Sequence, residues 1–295
     1  MPPQHAPAHI RIVVEKVHVE GRGAILLTGP SSCGKGIIAE SICAFLSLPP
    51  RQHVSMGDVL RQTVTRAQED TAFKQLLAAD YGIGDQICIF DPAHNPPELI
   101  KKASRYHPEL ATAFDAAAPD PYSQLDWLAF CLDNGLLIPD DWAESIIDAH
   151  FAQSPHLHRG LFILDGYPRT KVAAEKLLAA FDRQGIGIIK VLHLSITKDE
   201  MKQRAQGRHR SDDTEAALDS RYQFYIENVQ PCIDYLKVQL GPQKVTLIDA
   251  NQPVFDKGGQ LDVEQSIRAV TISVVEALGL PQYLLDLQGK RTNTH

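Results

Sequence analysis

The amino-acid sequence predicts an α/β fold, a five-stranded parallel sheet covered by helices on both faces. Short, almost wholly apolar segments recur along the chain, which is typical of strands buried in a parallel sheet. Segments of helical periodicity separate them, and parallel strands need such crossover connections. In a sheet of this kind the ligand binds at the carboxyl ends of the strands. Any functional site is therefore expected at that edge.

The strands and helices follow from the spacing of apolar residues. The predicted strands are 24–28, 52–55, 160–164, 188–194 and 245–248. The predicted helices are 37–46, 58–68, 124–131, 141–152 and 263–278. Residues 10–19 also alternate, with a slip that suggests a bulge, and predict one extra strand ahead of the first core strand. We expect that strand at a sheet edge or in the inserted region described next.

Between about residues 81 and 121 the helical pattern loosens, because prolines break it into short pieces. This stretch predicts an insertion or a small subdomain. The predicted layout is a disordered tail at 1–9, an extra strand at 10–22, one large domain at 23–288 and a polar tail at 289–295.

Composition limits the classes of partner. Of the 295 residues 44% are hydrophobic and 22% charged, and the formal net charge is −7, which disfavours a nucleic acid or an anionic membrane as partner. The sequence has neither the apolar core of a signal peptide nor a run of membrane-spanning length. Its five cysteines are scattered, as in reduced thiols. We expect a cytoplasmic monomer.

Residues 29–36 read Gly-Pro-Ser-Ser-Cys-Gly-Lys-Gly, the G-x-x-x-x-G-K spacing of a loop that wraps nucleotide phosphates. Glycines let successive amide N–H groups point at an anion, and Lys35 adds a mobile cation. The loop lies between a predicted strand and a predicted helix, so the phosphates would meet the positive N-terminus of that helix. The alternative is an ordinary glycine turn. The context favours a sheet of the P-loop NTPase type.

A second polar segment follows the third predicted strand, at the same sheet edge. Asp165 ends that strand, and a glycine–proline turn leads to Arg169. An aspartate in this position beside a phosphate loop is suited to hold Mg²⁺, directly or through water. The arginine can bind a second phosphate in a forked geometry. A plain turn with a surface arginine is the alternative.

These segments together resemble the nucleoside monophosphate kinases, and in particular the adenylate kinases. Residues 29–36 look like the family's phosphate loop, 55–61 like its acceptor-nucleotide segment and 164–170 like its signature. Residues 204–213 are similar to its lid in a short form. The resemblance implies an acceptor-nucleotide subdomain at 55–152, containing the insertion, and a lid at 204–221. It also implies ATP as donor, Mg²⁺ as cofactor and a nucleoside monophosphate as acceptor.

The resemblance assigns roles to individual residues. Those implied for ATP binding are Gly29, Ser31, Ser32, Cys33, Gly34, Lys35, Gly36, Ile37, Arg204 and Gln252. Those implied for the acceptor are Ser55, Met56, Gly57, Leu60, Arg61, Ile138, Gly166 and Arg169. The implied catalytic residues are Lys35, Asp165, Arg169, Arg208, Arg210 and Arg221, with Asp212 and Asp213 fixing the lid. Asp165 is the implied metal residue, and backbone groups of 249–254 would read the donor base.

The sequence departs from the family pattern at several positions. Ile37 replaces the usual Thr, so neither residue after Lys35 offers a hydroxyl to phosphate or to the magnesium shell. Asp165, water and the nucleotide would then supply the contacts of the magnesium ion. Met56 and Ala173 replace two polar residues that contact the acceptor adenine in the family. Losing such groups weakens discrimination between bases, so the acceptor base stays open, with AMP as the first candidate.

Two hypotheses follow. The first is an ATP-dependent nucleoside monophosphate kinase, with a small-metabolite acceptor as a minor variant. The second is a nucleotide-binding or sensing protein of the same fold with weakened turnover, which Ile37 and the insertion favour.

Overall fold

The computed structural model describes residues 22–114, 122–208 and 214–280. One parallel sheet forms the centre, in the order β2-β3-β1-β4-β5. Its strands are β1 (Gly23–Thr28), β2 (His53–Ser55), β3 (Leu161–Asp165), β4 (Ile188–Ser195) and β5 (Val245–Asp249). The predicted five-stranded parallel sheet is confirmed, and the strand that precedes the phosphate loop lies in the middle of it.

Helices connect the strands and cover both faces of the sheet. Their bounds are α1 (Lys35–Phe45), α2 (Met56–Glu69), α3 (Thr71–Tyr81), α4 (Pro97–Arg105), α5 (His107–Ala113), α6 (Gln124–Asp133), α7 (Asp140–Ala152), α8 (Lys171–Gln184), α9 (Lys198–Arg208), α10 (Glu215–Phe224), α11 (Gln230–Leu240) and α12 (Val263–Ala277). Within the described ranges, no helix is long and apolar enough to cross a membrane.

The core has two layers because successive residues of a strand point to opposite faces. Ala24 and Leu26 of β1 pack into a cluster with α2, α6, α7, α8 and α11. Ile25 and Leu27 pack on the other face, against α1, α9 and α12. Every residue of β1 is buried, as expected of a central strand with helices on both sides.

The region from residue 81 onward contains short helices, as predicted. Pro97 and Pro108 occupy the first turns of α4 and α5, where a proline is tolerated, so they start helices instead of breaking them. Gln124 is buried and hydrogen-bonds Asn95 and the amide of Gly84, which fixes the connecting loop to α6. Residues 115–121 lie outside the described ranges.

Some other elements differ from the prediction. A small antiparallel hairpin of β6 (Val254–Phe255) and β7 (Leu261–Asp262) was not predicted, because two-residue strands show no periodicity. Helix α3 was not predicted either. The extra strand proposed at 10–22 falls almost wholly outside the described residues, as do both terminal tails.

Candidate nucleotide-binding site

The phosphate loop leads from the end of β1 directly into α1. A Cβ added at Gly29 would lie 2.4 Å from the carbonyl oxygen of Leu194 and 2.9 Å from Cys33 Sγ, so only glycine fits there. Gly34 is the N-cap of α1 with φ 91°, and no side chain caps the helix. The first N–H groups of α1 have no partner within the helix, so they can bind an anion.

Lys35 is hydrogen-bonded within its own loop. Its Nζ donates to the carbonyl oxygens of Gly29 at 3.0 Å and Pro30 at 2.7 Å, and lies 3.7 Å from Cys33 Sγ. The ammonium group is thus held at the mouth of the loop by neutral acceptors. A phosphate oxygen is a stronger acceptor and could replace them. Ile37 lies on the first turn of α1 and is 51% exposed. Because it is an isoleucine, this position offers no hydroxyl.

Asp165 lies at the same sheet edge as the loop, because it pairs in register with Leu27 of β1. Its Oδ2 is 3.6 Å from Nε2 of His53, and its buried Oδ1 has no hydrogen-bond partner among the described residues. A buried oxygen without a donor is costly unless water or a cation contacts it. The carboxylate therefore fits Mg²⁺ or its water. The described chain contains no group of three possible metal ligands, so Asp165 would act with water and nucleotide.

The turn after β3 brings Arg169 back toward the strand end. Gly166 has φ 80°, its amide bonds the carbonyl of Leu27 at 3.0 Å, and its own carbonyl accepts from Arg169 Nε at 2.7 Å. A Cβ at Gly166 would lie 3.2 Å from Arg169 Nη2 and 4.0 Å from Cβ of Met56. Gly166, Arg169 and Met56, three of the residues assigned to the acceptor, therefore adjoin one another.

The remaining residues assigned to the acceptor lie on β2, on α2 and just before α7. Ser55 ends β2 opposite Asp165, Leu60 is buried in α2, and Ile138 is half-buried against the same core. Arg61 forms an exposed ion pair with Asp58, at 2.5 Å, and its guanidinium lies beside Gly57. In the described residues the guanidinium of Arg61 is thus paired with Asp58, whereas that of Arg169 is bonded to the carbonyl of Gly166.

The structure adds one residue on the acceptor side that the sequence did not indicate. Lys102 of α4 donates from Nζ to the carbonyl oxygen of Leu137 at 2.5 Å, and burial lowers the pKa of this lysine. Leu137 lies in residues 134–139, the segment that contains Ile138, which the resemblance assigns to the acceptor. A helix of the inserted region thus braces that segment. The pairing spans 35 residues, and no local pattern predicts it.

Arg204 joins the phosphate loop to the loop after β5. Its guanidinium donates to the carbonyl oxygens of Cys33 at 3.4 Å and Ala250 at 2.7 Å, and to Asn251 Oδ1 at 3.3 Å. Gln252 in the same loop donates to Ser273 Oγ at 3.0 Å and to the carbonyl of Asp249. These contacts hold the proposed donor-base segment against the proposed phosphate site.

The lid residues are only partly described. Arg208 ends α9, while Arg210, Asp212 and Asp213 lie outside the described residues. Arg221 is on α10. Helices α9 and α10 are joined by Asp219, which pairs with Lys198 at 3.0 Å and Lys202 at 2.7 Å. Such exposed pairs contribute little stability but fix the two helices side by side.

A buried histidine lies next to the phosphate loop and was not predicted. His193 of β4 is 2% exposed, and its Nε2 lies 2.9 Å from the hydroxyl of Tyr225, with the rings stacked at 7°. Burial, and then the charge of Lys35, lowers the pKa of His193 to about 4, so the ring is neutral at pH 7. Both residues line a cleft of about 690 Å³ at the ends of β4 and β5.

Comparison with known proteins identifies the family. The adenylate kinase family model matches residues 126–240. The adenylate kinase of Mycolicibacterium paratuberculosis is 34% identical over 216 residues, 73% of this chain and 87% of that protein. The adenylate kinase of Trichodesmium erythraeum is 25% identical over 235 residues, 78% of this chain and 91% of that protein.

A solved gluconokinase from Sinorhizobium meliloti 1021 matches with a TM-score of 0.41 and 14% identity, covering 91% of this chain and 97% of that one. At this score the likeness bears on neither fold nor substrate. The relatives at 34% identity span most of both chains. The chain therefore belongs to the adenylate kinase family, phosphotransferases that use ATP as donor and a phosphate group as acceptor.

Proposed function

We propose that this chain transfers the γ-phosphoryl group of ATP to a nucleoside monophosphate, with AMP as the first candidate, in the presence of Mg²⁺. The observation that carries the proposal is the shared sheet edge. Leu27 and Asp165 are paired in register, so the phosphate loop, the Asp165 carboxylate and the Arg169 turn all begin there. AMP ranks first because the relatives are adenylate kinases.

On the donor side, the phosphates would bind the N-terminus of α1 and the amides of the loop. Lys35 would exchange the carbonyl oxygens of Gly29 and Pro30 for phosphate oxygens, a change from neutral to charged acceptors. Arg204 lies between Cys33 and Ala250, where it would flank the donor base. Gln252 would support that base through its loop. The backbone N–H groups of Ser31, Ser32, Gly36 and Ile37 would bind the phosphates.

Magnesium would be held by Asp165, whose buried Oδ1 lacks a donor in the described structure. The ion supplies positive charge to the phosphate oxygens when it is bound. Since Ile37 offers no hydroxyl, water and the nucleotide complete its shell.

On the acceptor side, Arg61 and Arg169 would bind the monophosphate. Met56 and Ala173 are buried apolar residues, so neither position presents a polar side chain to a base. Backbone groups and an apolar contact with Ile138 would then recognise the base. A site that makes few hydrogen bonds to a base discriminates weakly between bases.

Catalysis would rest on positioning and charge. Lys35, Arg169, Arg208, Arg210 and Arg221 would surround the transferring group, whose negative charge spreads over three oxygens in the transition state. A lid at 204–221 would exclude the water that hydrolyses ATP. No general base is required, because the acceptor is already an anionic phosphate. All these groups come from one chain, so we propose a monomer as the active unit.

A nucleotide-binding protein with weakened turnover is the second candidate, and the exposed Ile37 beside Lys35 favours it. The two functions differ in what Arg208→Ala does. If turnover disappears while the affinity for ATP survives, the binding-only function is excluded. Transfer of labelled γ-phosphate to AMP, CMP, UMP, GMP and dAMP in turn tests the kinase and identifies its acceptor.

A further inference from the structure

The helix that carries Arg221 changes its hydrogen-bond pattern before it reaches the core. Helix α10 runs into a π-helical turn, Tyr225–Val229, and then into α11. The amide of Gln230 bonds the carbonyl of Tyr225, five residues back. Pro231 follows, and since it has no N–H and its ring clashes with the preceding turn, the regular pattern cannot continue. Such π-helical turns often mark functional positions.

Tyr225, the first residue of this turn, is anchored at its hydroxyl. Its oxygen lies 2.9 Å from Nε2 of His193. Burial keeps the His193 ring neutral and raises the pKa of Tyr225, so the hydroxyl stays protonated at pH 7. A neutral imidazole and a protonated hydroxyl can each donate or accept, so the two groups form one hydrogen bond whichever imidazole tautomer is present.

The hydrogen bond between His193 and Tyr225 connects the strand beside the phosphate loop to α10. His193 pairs in register with Thr28, the residue before Gly29, and the next carbonyl of β4, that of Leu194, adjoins Gly29. Arg221 lies about one turn of helix before Tyr225. The strand beside the phosphate loop therefore holds the helix of Arg221 through one hydroxyl, at the point where the helix is least regular.

We propose that Tyr225, held by His193, is a positioning residue that sets the place of Arg221 relative to the phosphate loop. The inference rests on the proposed kinase function. Without the hydroxyl, the stacked ring still fills its place, but α10 can pivot at the π-helical turn. Arg221 then reaches the transferring group in a smaller fraction of closed complexes.

Tyr225→Phe tests this inference with Tyr222→Phe as the matched control. Tyr222 lies on the same helix and lines the same cleft, and its hydroxyl has no hydrogen bond among the described residues. We expect Tyr225→Phe to lower kcat about tenfold, the value of one hydrogen bond of ordinary strength, and to change KM for ATP less than about twofold. Tyr222→Phe should match the unsubstituted protein. Equal kcat in the two variants would overturn the inference.

A double variant separates positioning from a general loss of structure. In the Arg221→Ala background, Tyr225→Phe should cost less than about a further twofold in kcat, because its effect acts through the missing arginine. A repeated tenfold loss in that background would overturn the inference.

Hydrogen exchange supplies a readout that needs no turnover. The amides of residues 215–224 should exchange about tenfold faster in Tyr225→Phe than in Tyr222→Phe, since opening of α10 loses one anchoring bond. If the unsubstituted protein shows no phosphoryl transfer, the kinase proposal fails and the exchange result alone decides whether Tyr225 anchors α10. Equal exchange in the two variants would remove the anchoring role.

Discussion

The ammonium nitrogen of Lys35 lies 2.7 Å from the carbonyl oxygen of Pro30, inside the loop that both residues belong to. A second bond to Gly29 completes its coordination by neutral oxygens. The loop thus holds its cation where the proposed site would place the phosphates. Binding requires an exchange of acceptors, which phosphate charge favours.

Replacing Lys35 should therefore weaken ATP binding as well as stop turnover. Lys35→Met removes the charge and keeps most of the aliphatic stem. A hydrogen bond to a charged group contributes about 1.5–3 kcal/mol, so we expect the dissociation constant for ATP to rise by roughly 10- to 100-fold. Calorimetric titration measures it. An unchanged affinity would mean that Lys35 does not leave its carbonyl partners for the phosphates.

Gly29 should not tolerate a side chain. In Gly29→Ala the new Cβ would meet the Leu194 carbonyl oxygen at 2.4 Å, so β4 or the loop must shift, at a cost of about 1–3 kcal/mol of unfolding free energy. Gly187→Ala is the matched control, because a Cβ there meets nothing within 4 Å. Urea unfolding of the two variants compares them. Equal stability would show that the strand and loop are less closely packed than described.

Lys102 should affect the acceptor and not the donor. Lys102→Met removes the bond to the Leu137 carbonyl that braces the segment 134–139. We expect KM for the monophosphate to rise about tenfold, the value of one charge-assisted bond, with KM for ATP unchanged. Lys101→Met, on the exposed side of the same helix, is the control. A parallel rise in both KM values would indicate a general loss of structure instead.

His193 should make the fold sensitive to acid. The pKa of His193 is lowered to about 4 by burial and by Lys35, with Asp234 acting in the opposite direction, while an unfolded histidine titrates near 6.5. The unfolded chain therefore binds more protons below pH 6.5. The contribution of His193 to stability is complete above pH 6.5, declines as pH falls from 6.5 to 4, and amounts to about 3 kcal/mol at most.

His193→Asn removes this titration. We expect the unfolding free energy of the unsubstituted protein to fall more steeply than that of the variant between pH 6.5 and 4, as measured by denaturant unfolding at several pH values. Parallel pH profiles would mean that the imidazole has the same pKa in the folded and the unfolded chain, which its burial argues against.

Local sequence was sufficient to predict the sheet and the loop, because most strands are largely apolar and residues 29–36 carry their spacing in one segment. The Asp165–Arg169 turn was predictable for the same reason. The bond between His193 and Tyr225 was not, since the two residues are 32 positions apart and the histidine lies within an apolar strand. The prolines of the inserted region separate short helical pieces, as predicted, and Pro97 and Pro108 lie in the first turns of two of them, α4 and α5.

The proposed reaction is phosphoryl transfer between nucleotides at the sheet edge that holds Lys35 and Asp165. The most direct test follows ADP formation from ATP, AMP and Mg²⁺, with Lys35→Met as the blank. We expect turnover that depends on both nucleotides and is lost in the blank. ATP binding with no ADP formed above the blank, for AMP and for every other monophosphate supplied, would contradict it.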